Sequence, residues 1–153
     1  MNYAFRFANG SHNNILLPTL GQAGSPYARS VPSSRLSPQF ALPDAGLLFD
    51  TLLKRDEFVP HPGGVSSLFF AFADLVIHSI FNTNPRNWSI NEASSYLDLS
   101  VLYGNNDAQV DSVRRKDGSG KLWDDVFADS RLLFMPPASC ALLVLLNRNH
   151  NVR

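Results

Sequence analysis

The chain has 153 residues, which suits one domain of modest size with a hydrophobic core of its own. Apolar residues make up 44% and charged residues 17%, so the composition is globular and excludes a disordered chain. The net charge is zero, which excludes the basic footprint of a nucleic-acid-binding protein. Cys140 is the single cysteine; it excludes an intrachain disulfide and is expected to be a small buried apolar residue.

The sequence indicates neither a leader peptide nor a membrane span. The amino terminus lacks the long apolar run and the cleavage site of a signal peptide. The apolar stretch 65–81 contains Asp74 and His78, and it is shorter than the roughly 20 residues that cross a bilayer. We therefore expect no transmembrane segment and a cytoplasmic location.

The first part of the chain alternates irregular and helical signals. Residues 1–43 are rich in Asn, Gly, Ser and Pro without periodicity, which predicts an extended segment that wraps a larger body. Asp44 is a suitable N-cap for a first helix. This helix is expected to bury one apolar face, formed by Leu47, Leu48, Leu52 and Leu53. Pro60 and Pro62 then break the chain.

A second helix is predicted over about 65–82. Its apolar residues fall on every side, which is typical of a helix at the centre of a larger protein. Residues 87–103 are expected to be irregular, apart from a short helical turn at 97–102.

Two further helices are predicted in the last third of the chain. Asn106 and Gln109 resemble a capping box that opens a polar helix ending near Arg115. An exposed turn follows at 116–121, and a last helix at about 139–152 carries leucines that require burial. These elements predict a mainly α fold with little sheet.

His78 is the first candidate for chemistry, because it lies within the most apolar predicted helix. A lone histidine in such a helix is more often a hydrogen-bonded core residue than a catalyst. A buried neutral imidazole can also move a proton between the two oxygens of a bound peroxide. From this residue alone, both interpretations stay open.

Oxygen-bearing residues alternate along the loop 94–100. The atoms that calcium could bind are the side chains of Ser94, Asp98 and Ser100 and the carbonyl of Tyr96. One carboxylate among hydroxyls is equally the pattern of turns and helix caps.

Arg131 is the third candidate, next to an apolar run. Its guanidinium could point at a haem edge, a peroxide or a carboxylate. The alternative is a surface ion pair with Asp129 or Asp125.

Several motifs follow one another along the chain. They are 60–67, the helix with His78, the block 94–104, Lys116-Asp117-Gly118, Arg131 before Pro136-Pro137, and 147–151. In order and spacing they resemble the fungal linoleate diol synthases and psi-factor-producing fatty-acid oxygenases. These enzymes are members of the cyclooxygenase and animal haem-peroxidase superfamily. The resemblance covers nearly the whole chain, and Tyr-Leu-Asp-Leu-Ser at 96–100 is its most specific part.

The resemblance implies a partial haem-peroxidase-like domain over 1–153, with an extended segment at 1–43 and a helical part at 44–153. Enzymes of this family hold haem b between two helices and add dioxygen to an unsaturated C18 fatty acid. By position, His78 is the distal histidine and Arg131 the distal arginine, and both would bind the cofactor. The superfamily's calcium loop falls on Ser94, Tyr96, Asp98 and Ser100.

Departures from the family pattern refine these expectations. Ile77 and Phe134 stand where peroxidases have carboxylates that esterify haem, which implies non-covalent haem. Ser79 stands where an aspartate usually anchors calcium, which weakens the case for that ion. The chain ends at Arg153, before the family's proximal histidine and radical tyrosine, so we expect an inactive fragment.

Two other functions remain open. One is a small haem peroxidase in which His150, His61 or a residue of a partner chain ligates the iron. The other is a non-catalytic fragment that associates with a longer homologue through exposed core helices.

Overall fold

The computed structural model describes residues 6–32 and 37–152. They form two compact units, one of residues 6–27 and 66–152 and one of residues 28–65. The parts of the predicted extended segment at 1–5 and 33–36 lie outside the described residues. None of the described helices is long and apolar enough to cross a membrane.

Helices are the main regular elements of the described chain, as the sequence predicts. They are α1 (Ala45–Leu48), α2 (Ser67–Ile80), α3 (Ser100–Tyr103), α4 (Asp107–Val113) and α5 (Pro137–Asn151), with 3₁₀ turns at Gln39–Ala41 and Ser130–Phe134 and a π turn at Phe49–Leu53. Two short antiparallel strands, β1 (Ser25–Pro26) and β2 (Ile90–Asn91), pair with Ser25 opposite Asn91. The prediction of a mainly α fold is confirmed.

Polar side chains cap the helices where the sequence predicts it. Oδ1 of Asp44 accepts a hydrogen bond from the Leu47 amide at 2.9 Å, and Oδ1 of Asn106 accepts one from the Gln109 amide at 2.9 Å. The start of α5 lies two residues earlier than predicted, at Pro137. Proline is favoured in the first helical turn because its missing N–H would have no partner there.

The hydrophobic core lies between α2 and α5 and is closed by the segments around α3 and α4. Its buried members are Leu75, Val101, Leu102, Val113, Leu122, Leu132 and Leu143. Helix α2 buries a single stripe, formed by Ala71, Leu75 and Ser79 at a spacing of four residues. The other sides of α2 are apolar and exposed in the described chain, and its position at the centre of a larger protein stays a prediction. Cys140 is half-buried, and its Sγ donates to the carbonyl of Leu132 at 3.1 Å.

Residues 6–27 lie along the loop that precedes α3. The Ser95 amide donates to the carbonyl of Gly21 at 2.8 Å, and the Tyr96 hydroxyl donates to the carbonyl of Leu20 at 2.7 Å. Gly10 has a φ of +75°, and a Cβ there would lie 2.5 Å from Cβ of Ser94. A side chain at position 10 would therefore push this segment off the loop.

The unit of residues 28–65 contains α1 and the π turn. The leucines expected to form one buried face are exposed, at 58% for Leu47 and 67% for Leu53. The prediction of a buried face is wrong for the described chain, because a segment this short cannot enclose its own apolar side chains.

Candidate functional site

The ring of His78 has a defined tautomer. His78 is half-buried near the end of α2, and its Nδ1 lies 2.8 Å from the carbonyl oxygen of Asp74. A carbonyl only accepts hydrogen bonds, so Nδ1 carries the proton and the neutral ring has its lone pair on Nε2. Within the described chain, Nε2 has no hydrogen-bond partner. His78 is thus arranged as a proton acceptor at Nε2.

An apolar surface of α2 borders His78. Phe70 and Ile77 lie on the same side of the helix by its periodicity, and Phe81 follows directly after the last helical residue. The exposed fractions of these three side chains are 55%, 51% and 50%. The imidazole therefore stands between the buried stripe and this exposed apolar side.

Side chains from three other segments cap the carboxyl end of α2. The carbonyls of the last residues accept bonds from Arg131 (to His78 and Phe81), Ser100 (to Ser79) and Asn91 (to Ile80). Terminal carbonyls of a helix have no partner inside the helix and must find one elsewhere. The backbone that carries His78 is consequently fixed by side-chain donors.

Arg131 has most of its hydrogen-bonding capacity engaged. Nε donates to both carboxylate oxygens of Asp129 at 3.0 Å, and Nη2 donates to the same carboxylate. Nη2 also donates to the carbonyl of His78 at 3.2 Å, and Nη1 donates to the carbonyl of Phe81 at 2.9 Å. The ion pair with Asp129, which the sequence analysis left open as an alternative for Arg131, is present. The Asp129 carboxylate is only 10% exposed. Among the described contacts, one hydrogen on Nη1 remains for another acceptor.

The loop 94–100 brings its predicted ligand residues together around an arginine. Oδ2 of Asp98 accepts from Nη2 of Arg6 at 2.9 Å, from Nε of Arg6 at 3.1 Å and from Oγ of Ser94 at 3.0 Å. Oδ1 of Asp98 accepts from the Ser100 amide at 3.1 Å. The carbonyl of Tyr96 accepts from the amide of Asp98 at 2.9 Å. In the described residues no group of three or more His, Cys, Asp or Glu side chains could hold a metal ion.

Arg6 and Asn91 are the participants that sequence reasoning missed. Arg6 lies 92 residues from Asp98, and Asn91 lies 11 residues from Ile80, whose carbonyl it caps. No local motif marks either residue, because each is placed by the fold and not by its neighbours in sequence.

His150 and His61 are poor iron ligands in this arrangement. Nε2 of His150 faces the carbonyl of Gly120 at 3.1 Å and must donate to it, while Nδ1 accepts from the Tyr103 hydroxyl at 3.1 Å. Nδ1 of His61 accepts from the amide of Gly63 at 3.0 Å, which places the ring proton on Nε2. Neither ring offers a free lone pair for iron.

Comparison with known proteins agrees with this arrangement. The chain is 49% identical over 97% of its length to linoleate 10R-lipoxygenase of Aspergillus fumigatus. It is 49% identical over 95% to psi-producing oxygenase A of Emericella nidulans, and 46% identical over 97% to linoleate diol synthase of Gaeumannomyces graminis. This chain is homologous to one segment of the fungal linoleate diol synthases and psi-producing oxygenases. It spans about 13% of the length of these relatives.

The predicted resemblance to the linoleate diol synthases is therefore confirmed. No protein-family profile and no solved structure matches the chain. Ile77 and Phe134, at which the resemblance implies a departure from the haem peroxidases, are apolar and exposed, at 51% and 87%. The roles of His78 and Arg131, and of Ser94, Tyr96, Asp98 and Ser100, stay predictions.

Proposed function

We propose that this chain forms the distal-histidine part of a haem-dependent dioxygenase domain that acts on unsaturated C18 fatty acids in oxylipin biosynthesis. The observation that carries the proposal is the hydrogen bond from Nδ1 of His78 to the carbonyl of Asp74, which leaves Nε2 as an acceptor beside an exposed apolar surface. The relatives include a linoleate lipoxygenase and a linoleate diol synthase, and these names support the substrate class.

The residues beside His78 fit non-covalent haem b. Phe70, Ile77 and Phe81 offer an apolar surface on which a flat macrocycle would bury area otherwise left in water. Neither Ile77 nor Phe134 can form an ester with a haem methyl group, since neither carries a carboxylate. His78 and the remaining Nη1 hydrogen of Arg131 are the polar groups of this surface that we assign to the reaction.

When bound, haem would supply the iron that activates a peroxide. Nε2 of His78 accepts a proton from the hydroperoxide and delivers it to the departing oxygen. The Nδ1 hydrogen bond keeps the ring in the tautomer that makes this transfer possible. Arg131 holds the carbonyl of His78. Its remaining Nη1 hydrogen would stabilise the charge that develops on the departing oxygen.

We also propose that these residues bind haem only together with a segment that supplies the proximal ligand. His78 is used on the distal side, and the ring nitrogens of His150 are both engaged. The activity of the complete oxygenase would then depend on residues that this chain does not provide.

A haemin titration tests the proposal by following the Soret band. We compare the 153-residue protein with a longer protein that adds the region following this segment in the relatives, and His61→Ala serves as the matched control. We expect the longer protein to bind haemin saturably and the 153-residue protein not to do so. His78→Ala in the longer protein should keep the Soret band and slow the reaction with peroxide by about 10²–10⁴-fold. Tight binding of one haem by the 153 residues, lost in His78→Ala, would make His78 an iron ligand and overturn the proposal.

A non-catalytic role in association with a longer homologue is the second candidate. The observation that favours it is a set of exposed apolar side chains around the last two helical segments, with Leu133 at 65%, Phe134 at 87% and Leu145 at 60%. Co-purification with a full-length homologue would support this function. A stable monomer that does not bind the homologue would exclude it.

A further inference from the structure

The loop 94–100 has the position of the superfamily's calcium loop, yet its residues do not fit calcium. Its single carboxylate, Asp98, is only 12% exposed and forms an ion pair with Arg6, whose side chain is 20% exposed. We propose that the guanidinium of Arg6 replaces calcium in this loop, so that the loop keeps its shape and anchors α2 without a metal.

The charges around Asp98 are already balanced. Calcium prefers several charged or carbonyl oxygens at once, and its affinity rises with the number of carboxylate ligands. Here one carboxylate faces one guanidinium. A calcium ion at Asp98 would add two positive charges beside the fixed positive charge of Arg6, and the repulsion would be strong at this depth.

Arg6 also binds two backbone carbonyls beside the loop. Nη2 of Arg6 donates to the carbonyl of Ala8 at 3.1 Å and to that of Gly104 at 3.0 Å, in addition to Asp98. Gly104 has a φ of +99°, and a Cβ there would lie 2.6 Å from Cβ of Gln109. The glycine therefore allows its carbonyl to point at Arg6, which joins Asp98 to two backbone carbonyls beside the loop.

Ser79 stands at the position where the family pattern implies a second carboxylate for calcium. Its hydroxyl donates to the carbonyl of Leu75 at 2.6 Å, within α2. Its own carbonyl accepts from Oγ of Ser100 at 2.8 Å, and the amide of Ser100 is bound by Asp98. Hydrogen bonds therefore link Arg6 to the residue next to His78.

Calcium binding and thermal unfolding test the proposal, and neither measurement needs haem. The proposal does not depend on haem binding, so failure of the haemin titration would leave this test valid. We expect calorimetry with Ca²⁺ alone to show no binding at millimolar concentration, and EDTA to leave the Tm unchanged. Arg6→Ala should lower the Tm by roughly 4–8 °C, and added Ca²⁺ should not restore it.

Arg148→Ala is the matched control. Arg148 also bonds an aspartate, Asp125, but both side chains are exposed, at 64% and 44%, so its removal should shift the Tm far less. If the Arg6→Ala protein does not fold, Arg6→Lys is the second variant, because lysine keeps the charge but forms fewer hydrogen bonds. A lowered Tm of the Arg6→Lys protein without calcium binding supports the proposal equally. Saturable Ca²⁺ binding that Asp98→Asn abolishes would overturn it, as would equal Tm values for the Arg6→Ala and Arg148→Ala proteins.

Discussion

Two arginine–aspartate pairs hold the region around His78, and they differ in what they connect. Arg131 and Asp129 are two residues apart, and the arginine caps the end of the helix that carries His78. Arg6 and Asp98 are 92 residues apart, and this pair closes a loop that reaches α2 through Ser100. One pair acts directly on the histidine helix, and the other acts through the loop.

The comparison teaches that an ion pair gains structural importance from the other bonds of its guanidinium. Each arginine bonds two backbone carbonyls as well as a carboxylate that is about one-tenth exposed. Arg148 bonds only the exposed carboxylate of Asp125 among the described contacts. Exposed pairs contribute little because water screens them, whereas a buried carboxylate that loses its partner remains uncompensated.

The largest effect is expected for Arg131→Ala. The substitution leaves the Asp129 carboxylate without its counter-charge and two terminal carbonyls of α2 without donors, so we expect a loss of about 3–5 kcal/mol in the free energy of unfolding. Arg6→Ala should cost less, about 2–3 kcal/mol, because Asp98 keeps its bonds from Ser94 and Ser100. Urea unfolding of both variants measures the difference.

The ranking of these two variants is the critical result. A loss in Arg6→Ala that exceeds the loss in Arg131→Ala would show that the loop, and not the direct cap, is the main support of α2. Arg131→Lys should recover little stability, because an ammonium group cannot serve a carboxylate and two separate carbonyls at once.

A smaller effect is expected for Ser100→Ala, which breaks the link between the loop and α2. The carbonyl of Ser79 would lose its donor in a buried position, at an expected cost of about 1–2 kcal/mol. Ser112→Ala is the control, since the Ser112 hydroxyl is exposed and bonds within α4. Equal stabilities of the two variants would contradict the idea that the loop supports the helix.

The smallest effect concerns the exposed pair. The Arg148 guanidinium hydrogen-bonds Asp125 and holds the pKa of that carboxyl below its ordinary value of 3.8. A lowered pKa in the folded state stabilises the protein above the ordinary value, and this contribution disappears as the pH falls through the lowered pKa. An NMR titration should show the pKa of Asp125 rising towards 3.8 in Arg148→Ala, with almost no change in stability. An unchanged pKa would show that the pair does not persist in solution.

Much of the fold could be predicted because its signals are local. Asp44 and Asn106 cap helices by bonding amides three residues ahead, and this spacing is visible in the sequence. The burial of α2 could not be predicted, since apolar side chains on every side do not reveal which side meets α5. The exposed leucines of α1 show the same limit, because burial depends on the partner and not on the pattern.

The sequence by itself determined the helical class, the helix caps, the candidate residues and the similarity to the linoleate diol synthases. Only the tertiary structure decided how those candidates are used. It set the tautomer of His78 through the carbonyl of Asp74, and it engaged most of Arg131 at the end of α2. It also placed Arg6 where the family pattern suggests calcium. The physical reason is that hydrogen bonds and ion pairs depend on distances of about 3 Å between atoms, and residues far apart in sequence reach such distances only when the chain folds.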